Sequence, residues 1–252
     1  MPYRNWSEMT APQIQHAARE GAIAVLPIGA IEQHGPHLPV GTDCLIGQAC
    51  VEGALTGAQA KQMFLLLPHI SYGLSVEHDG YPGTLTLSPQ TVLSVLTEIG
   101  ASVAVAGIKH LVIVTGHGGN EHIIEVAARE IRRTRRLNVF CVELFRCMDG
   151  LDVSDDDIHA GQFETSVMLH LKPELVDVPR IDESLACSRE LWAQLADHSA
   201  YVTQTWLTAD VAADGVVGAP HTASRELGED WLKRLGERLS HTLDVIAKTV
   251  NS

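Results

Sequence analysis

Positive charge is scarce in this chain: 18 Lys and Arg stand against 31 Asp and Glu, a formal charge of −13. A general nucleic-acid partner or an anionic membrane surface needs a basic face, so the composition speaks against both. Long apolar runs are missing as well, none approaching the roughly 18 consecutive residues of a membrane span. The opening stretch MPYRNWSEMT has no apolar core of the kind a secretory signal carries, which predicts a cytoplasmic protein. Cysteine is sparse, five residues with no Cys-x-x-Cys pair, and this fits reduced thiols rather than a disulfide frame. No repeat, low-complexity tract or linker rich in Pro, Gly or Ser divides the chain. No G-x-x-x-x-G-K-[ST] phosphate loop occurs, and the nearest approach to G-x-S-x-G, Gly73-Leu-Ser75-Val-Glu77, ends in Glu. What is there suffices to fold. With 252 residues, 45% hydrophobic and 19% charged, disorder and fibrous classes are out, and one domain over 1–252 is expected.

Apolar, β-branched runs alternate with helical patterns, the sequence form of an α/β protein with a mostly parallel sheet flanked by helices. A helix is predicted over 11–20, with Thr10 as N-cap, Pro12 in the first turn and Gly21 as stop. AIAVLPI (22–28) reads as a buried strand, followed by a helix over about 44–60 and a short strand at 63–67. Ser88-Pro89 opens a helix that Gly107 closes, HLVIVT (110–115) is a strand, 120–135 is helical, and NVFCVE (138–143) is the fourth strand. Beyond residue 150 the pattern loosens, with a helix expected over 159–171 until Pro173 stops it. Leu227, Trp231, Leu235, Leu239, Leu243, Ile246 and Val250 form an apolar stripe spaced by three or four, an amphipathic helix with bend points at Gly228 or Gly236.

Two connections are long against the usual few residues: 29–43 (GAIEQHGPHLPVGTD) and 69–87 (HISYGLSVEHDGYPGTLTL). Both follow predicted strands, and in open parallel sheets the loops beyond the carboxyl ends of strands are where sites are built. Histidine concentrates in the same part of the chain. Of 13, eight (His34, His37, His69, His78, His110, His117, His122 and His159) lie between 34 and 159.

Glu32 and His34 are two apart, so in extended backbone they point the same way, and Asp43 returns after a Gly/Pro-rich excursion. Carboxylate plus imidazole is a ligand set for Zn²⁺, Mn²⁺ or Fe²⁺. The alternative is a polar loop whose Glu and His cap neighbouring backbone. GHGGN (116–120) follows a strand, and its glycines expose backbone N–H groups beside His117. It could cradle phosphate but lacks the full G-x-G-x-x-G spacing. In HAGQFETS (159–166), His159 beside a helix N-terminus should have a lowered pKa, suiting it to accept a proton at neutral pH. Glu164 can converge with it across the helix start, or be merely a solvated position. The run Asp152, Asp155, Asp156, Asp157 reads as a solvated loop. Cys44 as a nucleophile is disfavoured by Asp43 beside it, which would raise the thiol pKa.

At these residues the chain resembles the creatininase (creatinine amidohydrolase) family. PIGAIEQHGPHLPVGTD (27–43) looks like its signature, followed in the family's order by Ser75-x-Glu77-His78, Tyr81-Pro82-Gly83-Thr84, GHGGN, HAGQFETS, DGVVGAP (214–220) and Ala223-Ser224. The resemblance implies a three-layer α/β sandwich and a two-metal amidohydrolase in a homo-oligomer, hexameric and built from dimers in related proteins. Carried over by position, Glu32, His34, Asp43 and His117 match metal ligands, with Asp43 bridging two ions. Creatinine-cleaving members read H-Y-E-N where this chain has Gly119, so the resemblance moves the fifth ligand to Glu164. Such members also close a tryptophan-lined lid. Here the tryptophans are Trp6, Trp192, Trp206 and Trp231, none between 140 and 175, which points away from creatinine itself.

The expected chemistry is a metal-bridged hydroxide attacking an amide carbonyl, on carbon–nitrogen bonds other than ordinary peptide bonds. His159 is the expected catalytic proton shuttle, and Ser75, Glu77, His78 and Gly118 are the expected substrate-binding residues. Glu77 and His78 could instead be a pair that braces the loop. The substrate expected is a small cyclic amide or formamide. Alternatives are a lactone, a cyclic ketone or a short peptide of the mycofactocin type at the same site, and a non-catalytic protein binding a nucleotide or effector on GHGGN.

Overall fold

The computed structural model describes residues 3–148, 150–154, 156–183 and 205–250; Asp155 and Trp192, named above, lie outside them. Its centre is a five-stranded sheet of β1 (Tyr3–Asn5), β2 (Ile23–Ile28), β3 (Phe64–Leu66), β4 (His110–Thr115) and β5 (Asn138–Glu143), in the order β1-β3-β2-β4-β5. Every pairing is parallel, and β2 lies along β4 from Ile23 opposite His110 to Ile28 opposite Thr115. The four anticipated strands are all present. β1 was not anticipated, because three residues carry no alternation and the strand exists only by pairing with β3.

Six helices of two turns or more flank the sheet among the described residues: α1 (Ala11–Arg19), α2 (Thr42–Gly57), α3 (Pro89–Val105), α4 (Glu121–Arg135), α5 (Gln162–Leu171) and α6 (Arg225–Thr249). Their ends follow the local chemistry. The Thr10 N–H donates to Gln13 Oε1 at 2.9 Å before α1, and Ser88 Oγ accepts from the Thr91 N–H at 3.2 Å before α3. Strand side chains alternate between two cores. Ile23, Val25, Phe64, Leu66, Val112 and Val114 pack under α2, α5 and α6, while Ala24, Leu26, Ile28, Leu65, Leu111 and Ile113 pack under α1, α3 and α4. The result is the expected three-layer sandwich. No helix among the described residues is long and apolar enough to cross a membrane.

Two elements differ from the sequence reading. α5 begins at Gln162 rather than His159, because Ala160 sits in the left-handed region at φ 52° and His159 is extended, bridged to Val217. α6 runs unbroken through both of its glycines. Gly228 serves close approach instead of a bend: a Cβ there would come within 1.9 Å of the Ser166 carbonyl oxygen of α5.

The chain leaves β2 toward β3 on one side and later returns to β4 on the other, so strand order reverses between β2 and β4. Crevices at such reversals, beyond the carboxyl ends of the strands, are where open α/β sheets hold ligands. The long loops after β2 and β3 and the GHGGN turn after β4 meet there. Asn120 ties them together, accepting from the Leu74 N–H at 2.9 Å and donating to the Gly29 carbonyl at 3.0 Å.

Candidate metal centre

Five predicted residues converge at this reversal, all buried: Glu32 and His34 from the β2 loop, Asp43 in the first turn of α2, His117 from GHGGN, and Glu164 in the first turn of α5. Asp43 divides its carboxylate between two histidines. Its Oδ1 is 3.1 Å from His34 Nε2 and its Oδ2 is 3.2 Å from His117 Nδ1. Glu164 Oε1 lies 3.6 Å from the same His34 nitrogen, and Glu32 Oε1 lies 3.2 Å from the same His117 nitrogen.

Hydrogen bonds at the far side of each ring fix what these nitrogens present. His34 Nδ1 is 3.0 Å from the Glu32 carbonyl oxygen and His117 Nε2 is 2.9 Å from the Leu74 carbonyl oxygen. A carbonyl only accepts, so the proton of each neutral imidazole sits on that outer nitrogen. In that neutral form the inner nitrogens, His34 Nε2 and His117 Nδ1, present lone pairs, each toward oxygens of two carboxylates. Lone pair against carboxylate repels unless a positive charge lies between them. Both Glu32 oxygens and Asp43 Oδ2 are buried and accept no hydrogen bond. Carboxylates left this way are costly unless paired or bound to a metal. The donor set fits divalent cations, and Glu32, His34 and Asp43 offer atoms within 4.8 Å of one another, as do His34, His159 and Glu164.

The electrostatics report the same demand for positive charge. Burial alone would lower His34 and His117, but Glu164 and Asp43 lift the first and Glu32 and Asp43 the second well above the ordinary histidine value. Burial pushes Glu32 up to about 7 against the pull of His117. Asp43 is held well below the usual carboxylate range by His34 and His117 in spite of its burial.

His159 donates from Nε2 to the Gln33 carbonyl at 2.7 Å, which leaves Nδ1 as a lone pair 3.7 Å from Glu32 Oε1. Its pKa falls to about 4, the direction expected, but the cause is burial first and the neighbouring His34 second. The helix begins three residues further on. The three imidazoles of His34, His159 and His78 lie in a row, with centroids 4.3 and 4.2 Å apart.

A cavity of about 570 Å³ opens over this cluster, and Glu77, His78, Gly118 and His159 line it. Ser75 does not. It is buried behind His117, with its Oγ 3.5 Å from Nε2. Glu77 Oε1 is 3.2 Å from His117 Nε2 and fills the space a side chain at 119 would need, since a Cβ on Gly119 would meet that oxygen at 2.2 Å. Cys44 Sγ donates to the Ala30 carbonyl at 3.1 Å, and burial and then Asp43 push the thiol up to about 11, in keeping with its exclusion as a nucleophile.

Several cavity residues escaped the sequence reading. Phe145, Met148, Leu151, Val153, Ile158 and Trp206 form an apolar wall, so a tryptophan does reach the cavity, from outside the segment where one was sought. Asp157 is not a solvated charge: its two oxygens accept from the Gln162 and Phe163 N–H groups at 2.6 and 2.7 Å, capping α5. That cap stands five and six residues ahead of its partners, outside the spacing by which an N-cap is recognised. Of the other histidines, His37 is buried against Thr165 Oγ1 at 2.8 Å, and His122 is exposed on α4.

Comparison with known proteins agrees over most of the chain. A family model described as Creatininase: Creatinine amidohydrolase matches residues 7–243. The mycofactocin precursor peptide peptidase of Mycolicibacterium smegmatis is 35% identical over 210 residues, 82% of this chain and 78% of that protein. The creatinine amidohydrolase of Pseudomonas putida is 28% identical, with coverage of 89% and 88%. A solved mutant creatininase described as Zn-Zn type superposes with a TM-score of 0.74 at 26% identity, covering 95% of this chain and 96% of its own.

Proposed function

The chain belongs to the creatininase family of C–N-bond hydrolases, and on that premise we propose that it is a two-metal amidohydrolase acting on an amide held in the cavity over Glu32, Asp43 and His159. The observation that carries this reading is that His34 Nε2 and His117 Nδ1 each face two buried carboxylates, with Asp43 common to both, an arrangement that demands positive charge at two points. One divalent cation is assigned to His34, Asp43 and Glu164, and a second to His117, Asp43 and Glu32. Zn²⁺, Mn²⁺ and Fe²⁺ all accept such sets. Cations so held would supply Lewis acidity, lowering the pKa of water toward about 7 and offsetting charge that develops on an amide oxygen.

The chain's own residues do the rest. His159, neutral at pH 7 and with Nε2 committed to Gln33, takes at Nδ1 the proton given up by the attacking water and hands it to the leaving nitrogen as the C–N bond breaks. Glu77, His78 and Gly118 form the polar wall that meets the substrate, and Ser75 supports His117 from behind. Among the described residues lining the cavity, Arg146 is the one Lys or Arg, and Glu121 and Glu143 already pair with it. Among the described residues, then, no unpaired Lys or Arg lines the cavity to meet a phosphate. A neutral cyclic amide or formamide suits the floor of the cavity. A short peptide is a second reading, favoured by the apolar wall and by the peptidase relative at 35% identity. The exposed apolar Tyr72, Val76 and Leu85 support assembly into a homo-oligomer.

The test is a panel of cyclic amides, formamides and short peptides offered to chelated protein reloaded with Zn²⁺, Mn²⁺ or Fe²⁺. Amide hydrolysis that disappears with EDTA and returns with one of the ions is expected. Hydrolysis that continues in metal-free protein contradicts the proposal.

A further inference from the structure

Gln33 lies between Glu32 and His34, yet its side chain turns away from them and joins three loops. Oε1 accepts from the Gly35 N–H at 2.9 Å, and Nε2 is 3.0 Å from the Gly215 carbonyl and 2.9 Å from His78 Nδ1. The two outer partners settle the orientation of the amide, because an N–H can only donate and a carbonyl can only accept. Gly215, at φ 83°, completes the seat: a Cβ there would come within 1.9 Å of Gln33 Oε1. The second N–H of the Gln33 amide therefore points at His78 Nδ1.

We propose that Gln33 is a positioning residue that holds His78 in the Nε2–H tautomer, so that the ring turns an N–H toward the Glu32 carboxylate and steadies it by charge–dipole attraction rather than by a hydrogen bond. An amide N–H cannot accept, so His78 Nδ1 must receive it and the ring proton moves to Nε2, which faces Glu32 Oε1 at 3.4 Å. Thr208 Oγ1, also 2.9 Å from Nδ1, is a hydroxyl that can donate or accept, so the amide and not Thr208 decides the tautomer. The chain amide to imidazole to carboxylate makes His78 a donor, so His78 is not a metal ligand, although its Nε2 lies close enough to Glu32 and His159 to be taken for one. The Gln33 backbone carbonyl sets His159 in the opposite sense, with its lone pair inward. One residue thus makes one of two adjacent imidazoles a donor and the other an acceptor. Groups that orient a metal ligand from outside are typically worth roughly 10- to 100-fold in metal affinity or activity. The inference rests on the assignment of Glu32 as a ligand.

The experiment is ¹⁵N magic-angle-spinning NMR of histidine-labelled full-length protein, with and without Zn²⁺, in wild type, Gln33→Glu and Thr208→Val, with His78 signals assigned by their loss in His78→Asn. In wild type and in Thr208→Val, His78 should show a bare Nδ1 and a protonated Nε2. In Gln33→Glu the carboxylate can only accept, so Nδ1 should become protonated and Zn²⁺ affinity should fall roughly 10- to 100-fold. A protonated Nδ1 in wild type overturns the proposal even if Gln33→Glu does not fold, and so does a proton gained at Nδ1 in Thr208→Val. An unchanged His78 pattern with unchanged Zn²⁺ affinity in folded Gln33→Glu overturns it as well. Wild-type protein that shows the expected tautomer but binds no metal would instead sink the two-metal reading and leave the Gln33–His78 bond standing.

Discussion

Adding one methyl group at each of two glycines in α6 should have opposite effects. At Gly228 a Cβ would lie 1.9 Å from the Ser166 carbonyl oxygen and 2.4 Å from its carbon, about 1.5 Å short of the 3.4 Å at which ordinary contact begins. The obstacle is the backbone of α5 and cannot rotate aside, so the helices must part. Overpacking of this kind costs about 1–3 kcal/mol. At Gly236 no atom lies within 4 Å of the added Cβ. There, Ala gains the helix preference that Gly lacks, up to about 1 kcal/mol. At roughly 2–4 °C per kcal/mol for a chain of this size, Gly228→Ala should lower Tm by roughly 2–12 °C and Gly236→Ala should raise it by a few degrees. Urea unfolding at constant m-value gives the free energies directly. Because α5 carries Glu164, Gly228→Ala should also weaken metal binding at the His34 side, which calorimetric titration with Zn²⁺ would read. A Gly228→Ala protein as stable as Gly236→Ala would refute the close packing of α5 on α6 from which the position of Glu164 follows.

His159→Ala should keep its full metal content, by elemental analysis, while kcat falls roughly a hundred- to ten-thousand-fold, the usual worth of a positioned proton carrier. Burial and then His34 hold His37 down to about 4, below its unfolded value near 6.5, so between those values the unfolded chain binds the extra proton and the folded one does not. His37 should therefore withdraw stability from the metal-free protein as pH falls from about 6.5 to about 4, and His37→Gln should make a urea-denaturation profile fall less steeply than wild type over that range. Trp206→Ala should raise KM for substrates with an apolar group and leave metal content unchanged; an unaltered KM across the whole panel would remove Trp206 from the substrate wall.

Much of the fold was legible because its elements carry local signals. β2, β4 and β5 are continuous apolar runs, and Thr10, Ser88-Pro89 and Gly107 mark helix ends that the backbone respects. β1 was not legible, since three residues acquire strand geometry only from β3. The start of α5 was misplaced because its boundary is set by the left-handed Ala160 and by Asp157 reaching forward, neither of which follows a familiar cap spacing. The site divides in the same way. Glu32, His34, Asp43, His117 and Glu164 stand in dense motifs, and the structure brings all five together. Trp206 and Phe145 come from segments with no motif and reach the cavity only through tertiary packing, as Thr208 reaches His78. Gln33 carries no local signal, because the partners that give its amide a role at the site, His78 and Gly215, lie 45 and 182 positions away.

The central claim is that Asp43 is shared by two cations. The most direct measurement is the number of ions per chain, by elemental analysis after loading and desalting, in wild type and in Asp43→Asn, Glu32→Gln and Glu164→Gln. Two ions are expected in wild type, one in each glutamate variant and none in Asp43→Asn. A wild type that holds a single ion, or an Asp43→Asn protein that still holds two, would contradict it.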